Sequence, residues 1–253
     1  MSRVVAVSRD GTLSEVVNGY FDGCGRAMNE AASIGLLSSG TGSDFRRSLG
    51  STRGSDSIRV AVGQEIGLLD AAHAEFRDKL GERLSRVFIN IASFGLGGDV
   101  SALVNRWRNS LPRWIGGRAR FAAAALAALK RYRNVPVSIR IDDDREIEVS
   151  SNLVIVANGR FAGGGMLLAP NAELDEGFLD VIVTDQATRL DVIRNLSRIQ
   201  RGRYLRNPKV TELRSRGISI VSEGPMPIDL DGDMVGFTPA RLGVVPSSLR
   251  FLV

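Results

Sequence analysis

Cysteine and histidine each occur once in these 253 residues. Cys24 therefore has no partner for an internal disulfide, and no Cys or His cluster is present from which a zinc site could be built. His73 alone would have to carry any Ser-His-Asp or Cys-His chemistry. It lies in a charged segment, Ala71 to Arg86, that reads as a helix with His73 on its surface, so acid–base work falls to carboxylates. No apolar run reaches the ~18–20 residues of a membrane span. Met1-Ser2-Arg3, followed at once by a short strand, lacks the layout of a signal peptide, which predicts a cytoplasmic protein. Acidic residues are missing from Val100 to Ile141, where Arg106, Arg108, Arg113, Arg118, Arg120, Lys130, Arg131 and Arg133 stand together with Trp107 and Trp114. Cations interleaved with Trp suit a membrane interface. They equally suit a solvated basic helix with its Trp residues in the core.

What is present is an ordinary globular composition, 43% apolar, with a net charge of +5 that favours an anionic partner. The chain is organised around Ser8-Arg9-Asp10-Gly11-Thr12, between an apolar strand (Val4 to Val7) and a helix start. Thr12 and Glu15 have the spacing of a capping box, and Leu13, Val16, Val17 and Tyr20 recur on one helical face. Such a turn aims free N–H groups and the positive end of the helix dipole at one point, where phosphate is the commonest occupant. Asp10 adds a carboxylate able to hold Mg²⁺ or polarise a hydroxyl. A second strand, Ile34 to Leu37, runs into a second Gly-rich turn, Ser38 to Phe45, that opens another helix. On neighbouring parallel strands the two turns would meet at one carboxyl edge of the sheet. A third unit is predicted from Val87 to Ile91 into Ala92–Asp99.

From Val135 the apolar period changes to two. Val137, Ile139 and Ile141, the turn Asp142 to Asp144, then Ile147 and Val149 predict a hairpin. Further strands are predicted at Asn152–Ala157, Phe178–Val183, Ile218–Val221, Leu242–Val245 and Leu249–Val253, with a helix from Arg189 to about Tyr204 carrying Arg194, Arg198 and Arg201 on one face. Asn158-Gly159 and Gly163-Gly164-Gly165 close the strand before them with flexible backbone.

Several of these stretches, in order, resemble the bacterial diacylglycerol-kinase-like lipid kinases, relatives of sphingosine kinases and NAD kinases. Asp10-Gly11-Thr12, with Asn18-Gly19 after it, is similar to the GGDGT turn that cradles ATP phosphates in that family. LSSGTGSD (Leu37 to Asp44) resembles its PxGTxND segment. VFINIASFG (Val87 to Gly95) is similar to the strand and turn leading to its second domain. Asn158-Gly159, the Gly163–Gly165 triplet, Ala169-Pro170 and ELDEGFLDV (Glu173 to Val181) resemble its NG…GGG…LDDGLLDV pattern, and IDLDGD (Ile228 to Asp233) its DGE motif.

The resemblance implies an incomplete N-terminal Rossmann-like parallel α/β domain over residues 1–100, with 238–253 as a candidate segment returning to it. A β-sandwich-like domain over 101–237 would follow. It implies ATP-dependent transfer of a γ-phosphoryl group to a lipid hydroxyl at the bilayer surface, with Mg²⁺. Ser8, Arg9, Asp10, Gly11, Thr12, Gly40, Thr41, Gly42 and Asp44 would hold the nucleotide, and Asp233 would be the base, with Asp10 assisting. The Glu176 side chain, with backbone contributions from Glu173 and Phe178, would form a structural metal site. Departures are Ser8 and Arg9 for two glycines, Ser43 for Asn, and Gly67 where the family has a functional Asp, Asp70 being displaced. The family also has a strand–helix–strand unit ahead of the first turn; without it a strand edge would be exposed to dimerisation. A catalytically degenerate nucleotide- or lipid-binding relative is the alternative function. Nucleic-acid binding is disfavoured, since no stacking aromatics or recognition helix accompany the basic stretch.

Overall fold

The computed structural model describes residues 2–8, 10–38, 43–50, 66–107, 117–199 and 202–252. Its strands are β1 (Arg3–Ser8), β2 (Ser33–Ser38), β3 (Ile66–Arg77), β4 (Arg83–Phe88), β5 (Ile91–Gly95), β6 (Val135–Ile141), β7 (Arg145–Ser151), β8 (Leu153–Ala157), β9 (Phe161–Ala162), β10 (Met166–Leu167), β11 (Leu179–Thr184), β12 (Val210–Ser215), β13 (Gly217–Ser222), β14 (Pro227–Leu230) and β15 (Asp233–Leu252). The described α-helices are α1 (Asp10–Asn18), α2 (Asp44–Ser48), α3 (Leu96–Trp107), α4 (Gly117–Ala128) and α5 (Arg189–Ile199).

The N-terminal part is mixed α/β and the remainder is a β-rich, sandwich-like body. Thirteen strands form one hydrogen-bonded sheet, while β9 and β10 make a separate hairpin. Among the described residues, parallel pairing is confined to β1 with β2, in register Val4↔Ile34, and β2 with the end of β15 at Phe251↔Ile34. The expected third parallel unit is antiparallel instead: β4 pairs with β3, and β5 lies between β8 and β14.

The hydrophobic pattern explains the division. β5 and β11 are buried along their whole length and β8 from Val154 onward, so these central strands read as continuous apolar runs. β6 alternates, with Val137, Ile139 and Ile141 inward, and the predicted hairpin forms; Asp142 and Asp143 take its positive-φ positions at 50° and 62°. The main core gathers Phe88, Phe94, Ile139, Val156, Val181, Ile220 and Leu242. A second core under β1 and β2 joins Leu13, Val17, Ile34, Phe45, Leu69 and Phe251, with the Phe45 and Phe251 rings edge-to-face at 5.4 Å.

Two expectations fail on period. The Ala71–Arg86 segment is not helical: Ala72, Ala74 and Phe76 are buried at a spacing of two on β3, and His73 is half-buried with Nε2 3.2 Å from the Gly23 carbonyl. The two predicted C-terminal strands are one strand, β15, interrupted by an irregularity between Val245 and Leu249 where Ser247 has φ 49°. β15 spans both bodies, pairing with β14 at its start and with β3 and β2 at its end. The Arg189 helix is described over Arg189–Ile199, Arg203–Arg206 form a separate 3-10 turn, and Arg201 lies outside the described residues. Trp107 packs half-buried against the α3–α4 cluster, whereas Trp114 lies outside the described residues.

Candidate active site

The parallel pairing of β1 with β2 places the starts of α1 and α2 at one sheet edge, and Asp10 joins them. Asp10 is itself the first residue of α1, so Thr12 sits inside the first turn rather than capping it. The Asp10 carboxylate accepts from Ser43 Oγ at 2.7 Å and from the Asp44 N–H at 2.8 Å. Ser43, the residue standing for Asn in the sequence pattern, is also the N-cap of α2, accepting from the Arg46 N–H at 3.3 Å. Among the described residues, a β-carbon at Gly11 would meet nothing within 4 Å. Ser8 closes β1 opposite Ser38. Arg9, Gly40, Thr41 and Gly42 lie outside the described residues.

Asp44 extends the chain of contacts. Its Oδ2 accepts from the Gly164 N–H at 2.7 Å and its Oδ1 pairs with Arg47 at 2.6 Å. Burial pushes the Asp44 carboxyl up, and the nearby Asp10 charge acts in the same direction against the Gly164 hydrogen bond. Gly163, Gly164 and Gly165 have φ of 64°, 88° and 98°, a succession only glycine adopts without strain. The glycine triplet between β9 and β10 is thereby tied to both helix starts.

A second carboxylate turn faces this edge. Asp231, at φ 52°, accepts from the backbone N–H groups of Ile89, Asn90 and Ile91 at 3.0, 3.0 and 3.1 Å. Burial pushes its carboxyl up to about 6, and the Asp10 charge adds to the rise. Asp233, two residues on, is half-exposed; Asn105 Nδ2 lies 3.5 Å from its Oδ1 and Arg86 3.9 Å from its Oδ2. Arg86 simultaneously binds Glu15 of α1 at 2.5 Å, so the cation spans α1 and the Asp233 turn. Below them Asp229 is buried, accepts from Ser93 Oγ at 3.1 Å and is pushed up to about 7 by burial.

Asn158 pins the neighbouring strands by donating to the carbonyls of Asp70 and Ile89 at 3.1 and 2.8 Å. Gly159 is obligatory for close approach: a β-carbon there would lie 2.2 Å from Asn90 Oδ1. Asp70, displaced from the position the sequence pattern gives to an aspartate, is buried and accepts from the Gly177 and Ser247 N–H groups at 2.6 and 2.7 Å. Asp231, Asn90, Asp70 and Ser48, which accepts from the Arg160 N–H at 3.0 Å, were not among the expected site residues. Asp231 and Asn90 lie in stretches already singled out, IDLDGD and VFINIASFG. Ser48 gave no such signal.

The expected metal residues form a different cluster. Glu176 bonds Arg214, which holds its carboxyl below the ordinary range, and Glu173 pairs with Arg160 at 3.5 Å. The Phe178 ring lies beneath the guanidinium groups of Arg214 and Arg216 at 5.1 and 4.8 Å. Asp180 is buried beside Arg214 and pushed up to about 6 by burial. Among the described residues no three His, Cys, Asp or Glu side chains come together as a metal cage. The Glu176 side chain, the one carboxylate expected to bind the metal, is engaged by Arg214 and does not fit that role as it stands.

A mixed α/β N-terminal part and a β-rich, sandwich-like body define the class of fold. This chain belongs to the family described as the YegS C-terminal NAD kinase β-sandwich-like domain, which matches residues 91–253, and the diacylglycerol kinase catalytic domain matches residues 1–73. It is 27% identical over 219 residues to a diacylglycerol kinase of Mycobacterium tuberculosis, covering 87% of this chain and 68% of the relative. A diacylglycerol kinase of Staphylococcus carnosus is 26% identical over 238 residues, 94% of this chain and 72% of the relative. The crystal structure of a diacylglycerol kinase from Bacillus anthracis superposes with a TM-score of 0.67 at 18% identity, covering 99% of this chain and 76% of that one. Yeast NADH kinase, complexed with NADH, superposes at 0.51 and 11%, covering 99% and 60%. The two structural likenesses concern the fold alone.

Proposed function

We propose that this chain is an ATP-dependent lipid kinase that phosphorylates the free hydroxyl of a diacylglycerol or a related lipid. The observation that carries the reading is the hydrogen-bonded chain Ser43–Asp10–Asp44–Gly164, which gathers two helix starts and the glycine triplet at one edge, opposite the Asp231-Gly232-Asp233 turn. The family membership and the kinase names of the relatives support it.

In this reading the α1 and α2 starts and the Gly-rich turns receive the nucleotide phosphates through backbone N–H groups. Asp10 orients the two turns, both of its oxygens being engaged by the α2 start. The half-exposed Asp233 takes the proton of the lipid hydroxyl as its oxygen attacks the γ-phosphorus, and the bond from that phosphorus to the ADP oxygen breaks. Asn105 and Arg86 hold Asp233 in place. Asp231, bound to three backbone N–H groups, fixes the turn rather than taking the proton. Mg²⁺ arriving with ATP would neutralise charge on the phosphates. The cradle is tested by calorimetric titration with ATP, with and without Mg²⁺. Saturable binding by the wild type that weakens at least tenfold in Asp10→Ala supports it, and folded wild-type protein that binds no ATP overturns it.

A further inference from the structure

Large apolar side chains are exposed on α5 and at the end of α4, outside the candidate active site. Leu190 and Ile193, one turn apart on α5, are 60% and 45% exposed, and Leu126 of α4 is 51% exposed. Ala119, Ala122 and Ala123 are exposed on α4 as well, so its outer face carries small apolar side chains. The two helices are neighbours: Val192 and Leu196 pack into the cluster that holds Ala124, Ala125 and Ala128, and Arg189 donates to the carbonyls of Lys130 and Tyr132 at 3.1 and 3.4 Å. An exposed group of large apolar side chains on a helix calls for an occupant.

The charge around it selects the occupant. Arg189, Arg194 and Arg198 on α5 and Lys130, Arg131 and Arg133 after α4 are all exposed. The only acidic residue of the two helices, Asp191, is turned to the protein, accepting from the Thr188 N–H and Oγ1 and from Lys209 Nζ, each at 2.8 Å. Exposed apolar side chains set among cations, with the one acid withdrawn and neutralised, are the composition of a helix lying in a membrane interface. The surface is also mechanically joined to the site. Phe121 of α4 abuts the glycine triplet that binds Asp44, and α3, packed on α4, supplies Asn105 beside Asp233.

We propose that the outer face of α5 with the end of α4 docks on an anionic phospholipid bilayer. Leu190, Ile193 and Leu126 enter the acyl boundary while the surrounding cations meet headgroup phosphates. For what the docking serves, the inference rests on the lipid-kinase reading.

The experiment is co-sedimentation of the whole protein with vesicles of phosphatidylglycerol in phosphatidylcholine and with phosphatidylcholine alone, comparing wild type with Leu190→Gln/Ile193→Gln. Both residues are exposed, and matched circular dichroism melting curves establish that the variant folds. Expected are binding to anionic vesicles that falls with added salt, little binding to neutral ones, and at least a tenfold loss in the variant. Equal partitioning of variant and wild type, no binding by the wild type, or equal binding to neutral vesicles overturns the proposal. So does a vesicle-free wild-type dimer that the variant abolishes, since that gives the face to a second copy. Phosphorylation of dispersed dioctanoylglycerol separates the two readings. Turnover with unaltered partitioning in the variant removes the docking surface and leaves the kinase; partitioning that depends on α5 without turnover removes the kinase and leaves the surface.

Discussion

Replacing Asp229 by asparagine is expected to stabilise the protein at alkaline pH and leave it nearly unchanged in acid. Asp229 is buried and its carboxyl is pushed up to about 7, with Ser93 donating to one oxygen. Against an unfolded value near 3.9, that rise corresponds to about 4 kcal/mol of destabilisation once the group is ionised in both states. The sign follows from proton uptake. Between about pH 4 and 7 the folded chain holds the proton that the unfolded chain has lost, so the stabilising contribution is complete below about pH 4 and disappears as pH rises through about 7. An amide of the same shape has no charge to bury and can still bond the serine hydroxyls. Asp229→Asn should therefore exceed the wild type by about 2–4 kcal/mol at pH 8 and match it within about 1 kcal/mol near pH 4. Urea unfolding across this range measures the gap directly. Asp180 and Asp231, both pushed up to about 6, leave part of the wild-type slope in the variant. A variant less stable than the wild type at pH 8, or a gap that does not change with pH, would refute the reasoning.

Asp231→Ala leaves three backbone N–H groups without their acceptor, for a cost of about 2–4 kcal/mol in the same unfolding assay; a cost under about 0.5 kcal/mol would contradict the geometry. Gly159→Ala drives a β-carbon against Asn90 Oδ1 and Ser48 Oγ and should cost about 1–3 kcal/mol, whereas a neutral change would mean the strands separate freely there. Asp233→Asn should lower turnover by about 10²–10⁴ with an unaltered unfolding midpoint, because the side chain is half-exposed and leaves no buried group unpaired. Asp233→Glu should retain turnover, and its loss would place the proton acceptor elsewhere.

How much of this was legible depended on whether a signal was local. The strand and helix at Val4–Asn18, the Val135–Ser151 hairpin and the Asn152–Ala157 strand could be read from short-range period and turn residues, and they form, with α1 starting at Asp10, ahead of the expected Thr12 cap. The strand Ile66–Arg77 was missed because its charges, His73, Glu75 and Arg77, look helical until Ala72, Ala74 and Phe76 are seen buried at every second position. β15 was expected as two strands, Leu242–Val245 and Leu249–Val253, because the pairing that carries it past the irregularity between them comes from β3, far away in sequence. In the site, Asp10 and Asp44 announced themselves through their Gly-rich turns. Asp231 did not: a turn aspartate is ordinary, and its role depends on three N–H groups some 140 residues distant, at Ile89 to Ile91. Glu176 was expected as a ligand because ELDEGFLDV resembles the family's LDDG segment, a match that carries no information on its neighbours. Its partner, Arg214, belongs to β12 and becomes a neighbour only through the antiparallel pairing of β12 with β11.

The central claim is tested most directly by following transfer of the radiolabelled γ-phosphate of ATP to dispersed dioctanoylglycerol, with Mg²⁺ present, using the whole chain and its Asp233→Asn variant side by side. The account predicts labelled phospholipid from the wild type and at least a hundredfold less from the variant. Folded wild-type protein that labels no lipid hydroxyl, or a variant that labels as fast as the wild type, would contradict it.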